Sequence, residues 1–185
     1  REARRVDAAG VSGPNCAGPL ALEAPDKTER VTCPNCDSLL DVNQGKLSYL
    51  RALVKPAGAP SFVAPIGAEG TLADGNKYKI IGAMVRSVTF DGVKYFWHEY
   101  LLYNFAAGFR WLVHSDNHWN FVEPINPAEV EMTHIGMGGT ARYDGTTFKI
   151  FQDAEATVEY VAGEFYWRVE QNERVRAADF VAAPK

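Results

Sequence analysis

The chain's fold is constrained most by its punctuation from Ile66 onward. Aromatic and β-branched residues alternate there with polar ones, and three Asp-Gly pairs break the runs, at Asp74-Gly75, Asp91-Gly92 and Asp144-Gly145. Alternation with a period of two builds a strand with one face toward a core, and Asp-Gly between such runs is the strongest short-range hairpin signal. Only "NPAEVEM" (126–132) offers a helical turn or two. The segment 66–182 therefore reads as antiparallel β-sheet, and the chain as all-β.

A second regularity lies on top of the first. "IGAEGTLADGNKYKI" (66–80) is similar to "IGMGGTARYDGTTFKI" (135–150), and Gly75/Gly145, Tyr78/Phe148, Tyr95/Phe165 and Trp97/Trp167 are each seventy positions apart. Equal offsets at four positions predict two repeated β-meander units, 66–132 and 133–185, forming a sandwich or barrel-like body. Two copies are too few for a solenoid.

The strands can be read individually. In "KYFWHEYLLYN" (94–104), Trp97, Glu99, Leu101 and Tyr103 share one face, and Phe96, His98, Tyr100 and Leu102 the other. Both faces are apolar enough for a central strand. "FRWLVHSDNHWNFVEP" (109–124) reads as a hairpin turning at Asp116-Asn117, which sets Leu112 opposite Phe121, His114 opposite Trp119 and Arg110 opposite Glu123. The aromatics are assigned first to holding the sheet together, because each buries a large area.

Upstream the texture differs. Residues 1–12 are charged and small and are expected to be unstructured, and 46–65 is read as a linker. Between them, 13–45 carries all three cysteines: Cys16 in "GPNC", and Cys33 and Cys36 in "CPNC". Zinc in structural sites takes four tetrahedral ligands, and a CxxC knuckle supplies two. The first knuckle has Gly13 where a thiol belongs. The segment is thus zinc-ribbon-like, with Cys16, Cys33 and Cys36 as metal ligands and structural zinc as the cofactor. A water, carboxylate or histidine could complete the set; a metal-free ribbon and three inert thiols remain as alternatives.

Composition excludes some classes. A net charge of −4 disfavours a nucleic-acid surface, and no apolar run is long enough for a transmembrane segment. No export signal is visible in "REARRVDAAG", which places the chain in the cytoplasm; its start at Arg1 suggests a piece of something longer. Catalytic groups are few. Glu99 sits among aromatics, where burial raises a carboxyl pKa, and Arg86 or Arg110 could neutralise it. His114, Ser115 and Asp116 are contiguous, unlike a catalytic triad. "GMGGTARYDG" (136–145) lacks the strand–turn–helix setting of a dinucleotide loop.

"WHEYLLYN" (97–104), "GFRWLVHSDNHWNFV" (108–122) and "GEFYWRV" (163–169) resemble the bacterial domain of unknown function numbered 4178. Many members of that family carry an N-terminal pair of CPxC knuckles, which this chain resembles with one ligand lost. The resemblance implies no activity or catalytic residue. It points to a protein partner, with membrane proteins among the candidates, and to the inner face of the membrane as a location. The reading taken forward is a non-catalytic assembly domain. The alternatives are a hydrolase-type or small-molecule-processing enzyme using Glu99 with His98 or His114, and a small-ligand site between the repeats built on Trp97, Glu99 and Trp167.

Overall fold

The structure, a computed structural model, describes residues 9–183, with backbone alone for Ala9. In chain order the strands are β1 (Ala9–Ser12), β2 (Pro19–Leu22), β3 (Arg30–Thr32), β4 (Ser38–Asn43), β5 (Lys46–Ala52), β6 (Glu69–Thr71), β7 (Lys77–Phe90), β8 (Val93–Asn104), β9 (Gly108–Ser115), β10 (His118–Val122), β11 (Glu131–Met132), β12 (Thr140–Tyr143), β13 (Thr146–Phe165) and β14 (Arg174–Val181). The only helical turn among the described residues is a short 3-10 turn at Pro127–Glu129. The protein is all-β and antiparallel throughout, as its punctuation predicts.

Twelve strands join in one hydrogen-bonded sheet, ordered β10-β9-β8-β7-β13-β3-β4-β5, with β6, β11, β12 and β14 attached at its sides. The path ends on β10 and β5, so no closed barrel forms. The turns follow their residues. At Asp91-Gly92, Asp116-Asn117 and Asp144-Gly145 both central residues have positive φ, the geometry that matches strand twist in two-residue hairpins. The register of β9 with β10 sets Leu112 against Phe121 and His114 against Trp119, and Arg110 reaches Glu123 at 3.2 Å. β8 is central and buried on both faces at Tyr100, Leu101 and Leu102.

β13 organises the rest. Its 20 residues pair in succession with β12, β14, β7 and β3, about twice the length at which strands usually stop. Gly82 and Gly163 face each other where β13 leaves β7. A Cβ on Gly82 would lie 2.3 Å from the Glu164 carbonyl oxygen, and one on Gly163 2.2 Å from that of Ile81. Only glycine permits that approach of the two backbones.

The seventy-residue offset has a structural counterpart in its first part alone. β6 and β7 form a hairpin around Gly75, and β12 and β13 form one around Gly145. Beyond it the copies diverge. β7 turns at Asp91-Gly92 and Trp97 returns on β8, whereas the corresponding Val161-Ala162 continues straight along β13. Trp167 lies in the bend after β13, not on a strand. Phe165 is fully buried while Tyr95 is exposed.

The boundaries upstream also differ from the reading of the sequence. Residues 1–8 of the segment expected to be unstructured lie outside the described residues, but Ala9–Ser12 pair with β2. β5 occupies the start of the linker and pairs along β4. The remainder of the linker packs on the sheet: Phe62 contacts His98, Tyr100 and Tyr160, and the Tyr100 hydroxyl accepts from the Val63 N–H at 2.8 Å. The cysteine-bearing strands have their own core of Leu20, Leu22, Val31, Leu40 and Val42 around Cys33. They are nonetheless continuous with the sheet, because β3 pairs with β13. The buried Glu164 carboxylate reinforces this junction by accepting from the backbone N–H groups of Glu23 and Ala24 and lying 2.8 Å from the Thr28 hydroxyl.

Candidate functional site

The turns after β1 and β3 have the same shape. In each, a residue at positive φ follows the second ligand position, Ala17 (φ 57°) after Cys16 and Asp37 (φ 52°) after Cys36. The turns close alike: the Ala17 N–H donates to Gly13 O and the Asp37 N–H to Cys33 O, while the N–H of Gly13 donates to Gly18 O and that of Cys33 to Ser38 O. Gly13 therefore occupies the position in the first knuckle that Cys33 occupies in the second. Alanine at a positive φ is unfavourable, as the order Ala17-Gly18 implies.

These turns bring the three predicted ligands together. The sulfurs of Cys16, Cys33 and Cys36 lie within 4.8 Å of one another, and those of Cys16 and Cys33 are 3.6 Å apart. A tetrahedral ion with metal–sulfur bonds of about 2.3 Å separates its thiolates by about 3.8 Å. The spacing thus fits a metal ion without rearrangement of the fold. Donors suited to thiolates surround the group: the Gly18 N–H points at Cys16 (3.4 Å), and the amides of Asn15 and Asn35 at Cys36 and Cys33 (3.8 Å each). Hydrogen bonds from Ser38 first, and then from Cys16, lower the Cys36 thiol to about 7. At Cys16 the Gly18 N–H favours the thiolate, but contacts with Cys36 and Cys33 and burial outweigh it and raise the pKa. Three close cysteines can hold a metal ion here, and they form the one group of three or more such side chains among the described residues.

Trp97 and Glu99 share a face of β8, and Trp167, from the bend after β13, lines a cavity with Glu99. Glu99 Oε1 accepts from the Trp97 indole at 2.8 Å and pairs with Arg86 at 3.2 Å. Arg86 and Glu99 are each 17% exposed, and the guanidinium also lies over the Trp97 ring. A groove of about 860 Å³ contains Trp97, and an adjoining cavity of about 310 Å³ contains Trp111, Tyr166 and Trp167; both are lined by Arg86 and Glu99. The two tryptophans are near the same ion pair but in different settings, Trp167 being packed on Phe165, Tyr166 and Trp111.

The histidines are elsewhere. His98 and His114 are directly opposite on β8 and β9 and stack at 5.8 Å, on the other face from Glu99. The structure does not bring Glu99 to either ring. His98 is buried, and neither ring nitrogen makes a hydrogen bond of ordinary geometry. Burial depresses its pKa below 6.5. Two features escaped the sequence reading: the direction in which Gly13 faces, and the buried acid Glu164. The sequence cue to Glu164 was a carboxylate directly before the aromatic run Phe165-Tyr166-Trp167.

Sheet and knuckles together define an antiparallel β-domain whose head carries three clustered thiols. A family model, domain of unknown function (DUF4178), matches residues 65–185, and the chain belongs to that family. No curated protein and no solved structure matches it. Among the described residues, no helix is long and apolar enough to cross a membrane.

Proposed function

We propose that this chain is a non-catalytic assembly domain, with a zinc-ribbon-like head held by structural zinc and a sheet that docks on a protein partner. The observation that carries the assembly reading is the tip of the β7–β8 hairpin. Phe90, Val93 and Tyr95 all lie on one face there and are all exposed, and Phe90 and Tyr95 contact one another at 6.4 Å. Contiguous exposed apolar residues mark interaction sites. The best acid, Glu99, is neutralised by Arg86, which removes the main support for catalysis. Zinc is favoured in the head because three thiolates at tetrahedral spacing suit a borderline-soft ion.

The test has two arms. Metal analysis of the purified chain should give about one equivalent of zinc; less than about half would retire the metal. A photocrosslinking residue at Tyr95, used in native membrane and soluble fractions, should capture one discrete partner. Phe90→Ser should abolish that crosslink without lowering the melting temperature. Labelling that is diffuse, or unchanged by Phe90→Ser, would sink the assembly reading.

A second reading rests on the two cavities meeting at Arg86 and Glu99. Trp97 and Trp167 line one each, so a small ligand spanning both would quench both indoles. Comparison of Trp97→Phe and Trp167→Phe emission during a ligand screen tests it.

A further inference from the structure

Gly13 is buried, and a Cβ placed on it would lie 3.2 Å from Cys33 Sγ and 3.5 Å from Cys16 Sγ. The missing side chain therefore points into the thiol group. The fourth corner of the tetrahedron is present in the backbone and lacks only its ligand atom. No carboxylate or imidazole joins the three sulfurs among the described residues. Cys16 is exposed, so the group meets solvent on that side.

We infer that the metal-loaded head keeps one coordination position open and that a small exogenous thiol fills it as its thiolate. This inference rests on the metal-binding reading of the head. Three arguments favour sulfur. The ion that suits this group already prefers thiolate. The amide donors of Asn15, Asn35 and Gly18 surround the sulfurs with positive dipole ends, an environment that tolerates another anion. Backbone bounds the corner at Gly13, with Gly18 O 3.6 Å from the position of the absent Cβ, so the donor must be slender. A thiol that binds loses its proton to solvent and displaces water from the metal; no electrons are exchanged.

The test uses the full chain loaded with Co²⁺ without oxygen, because cobalt–thiolate absorption reports the number of sulfur ligands. Adding N-acetylcysteine to the parent chain should shift the visible bands to longer wavelength, saturably, and strengthen the sulfur-to-cobalt charge-transfer band. Gly13→Cys should show the shifted spectrum from the start and should not respond to added thiol. If Gly13→Cys fails to fold, the titration of the parent still decides. Cobalt binding with no response to N-acetylcysteine overturns this inference and leaves the metal head standing. An equal response to imidazole overturns the assignment to a thiol. Failure of the parent to bind cobalt at all sinks the metal head itself.

Discussion

Arg86 on β7 and Glu99 on β8 pair diagonally across the ladder, with Nη1 3.2 Å from Oε1, and the Trp97 indole donates to the same carboxylate oxygen. The three groups form a closed set: one anion accepts from a cation and from an indole, on the floor shared by both cavities. Removing the charge of a mostly buried pair leaves its partner uncompensated. Glu99→Leu should therefore cost about 2–3 kcal/mol in urea unfolding, and Glu99→Gln less, because an amide oxygen still accepts from Trp97. Equal and negligible losses in both variants would show that the pair is solvated.

The head should be stabilised by metal, and Cys16 is the cleanest residue with which to show it. Cys16 is exposed, whereas Cys33 is fully buried in the core of the head, so serine at 16 removes a ligand with little damage to packing. An ion present at a hundredfold excess over its dissociation constant adds about 3 kcal/mol. Zinc should raise the melting temperature of the parent by several degrees, and a chelator should reverse the gain. Cys16→Ser should melt near the metal-free parent and lose the response. A zinc effect of undiminished size in Cys16→Ser would exclude Cys16 as a ligand.

Glu164 provides a pH dependence with a definite sign. Burial raises its pKa above 4.5, against the lowering influence of the Glu23 N–H, the Thr28 hydroxyl and the Ala24 N–H. The hydrogen bonds act against burial but do not outweigh it. The Thr28 hydroxyl has one proton but two oxygen neighbours at 2.8 Å, Ala24 O and Glu164 Oε2. One proton cannot serve both oxygens in full, so Thr28 holds the carboxylate less firmly than its distance suggests. A raised folded-state pKa contributes stability that is present below the unfolded value and is lost as pH rises through the folded value. Glu164→Gln should stay within about 1 kcal/mol of the parent at pH 7, because the amide oxygen still accepts from the backbone N–H groups and no charge is buried. The parent should gain on the variant as pH falls toward 4.5. A difference that is flat with pH would mean that the acid keeps its ordinary pKa.

Sequence legibility followed the turns. The β9–β10 register could be read because Asp116-Asn117 accepts positive φ at both positions, and a two-residue turn leaves one pairing. The Arg86 partner of Glu99 was readable only as one of two choices, since strand order decides whether β7 or β9 supplies it. The repeat misled beyond its first hairpin for a local reason. Asp91-Gly92 turns the chain, while Val161-Ala162 cannot, so equal spacing in sequence becomes unequal placement in space. The three-cysteine cluster was legible from its spacing. The aim of Gly13 was not, because a glycine leaves no side chain whose chemistry could announce a coordination corner.

His98 gives the last prediction. It is 4% exposed, set among Phe62, Tyr100 and the stacked ring of His114, and neither ring nitrogen makes a hydrogen bond of ordinary geometry. A buried polar group without a hydrogen bond costs about 1–3 kcal/mol, and phenylalanine keeps a planar aromatic ring there without that cost, though it is somewhat larger. His98→Phe should therefore stabilise the chain by about 1–2 kcal/mol at pH 8. Its pKa is depressed by burial first and by His114 and Lys55 nearby, with a contact from the ring to the Pro60 backbone, which can only accept, opposing. For a base depressed below 6.5, the unfolded chain takes up the proton first, so the parent loses stability as pH falls through that value while the variant does not. The gap between them should widen from pH 8 to pH 5.5 in paired urea titrations. A variant less stable than the parent at every pH would mean that the imidazole makes a polar contact within the sheet that the aromatic packing around it conceals.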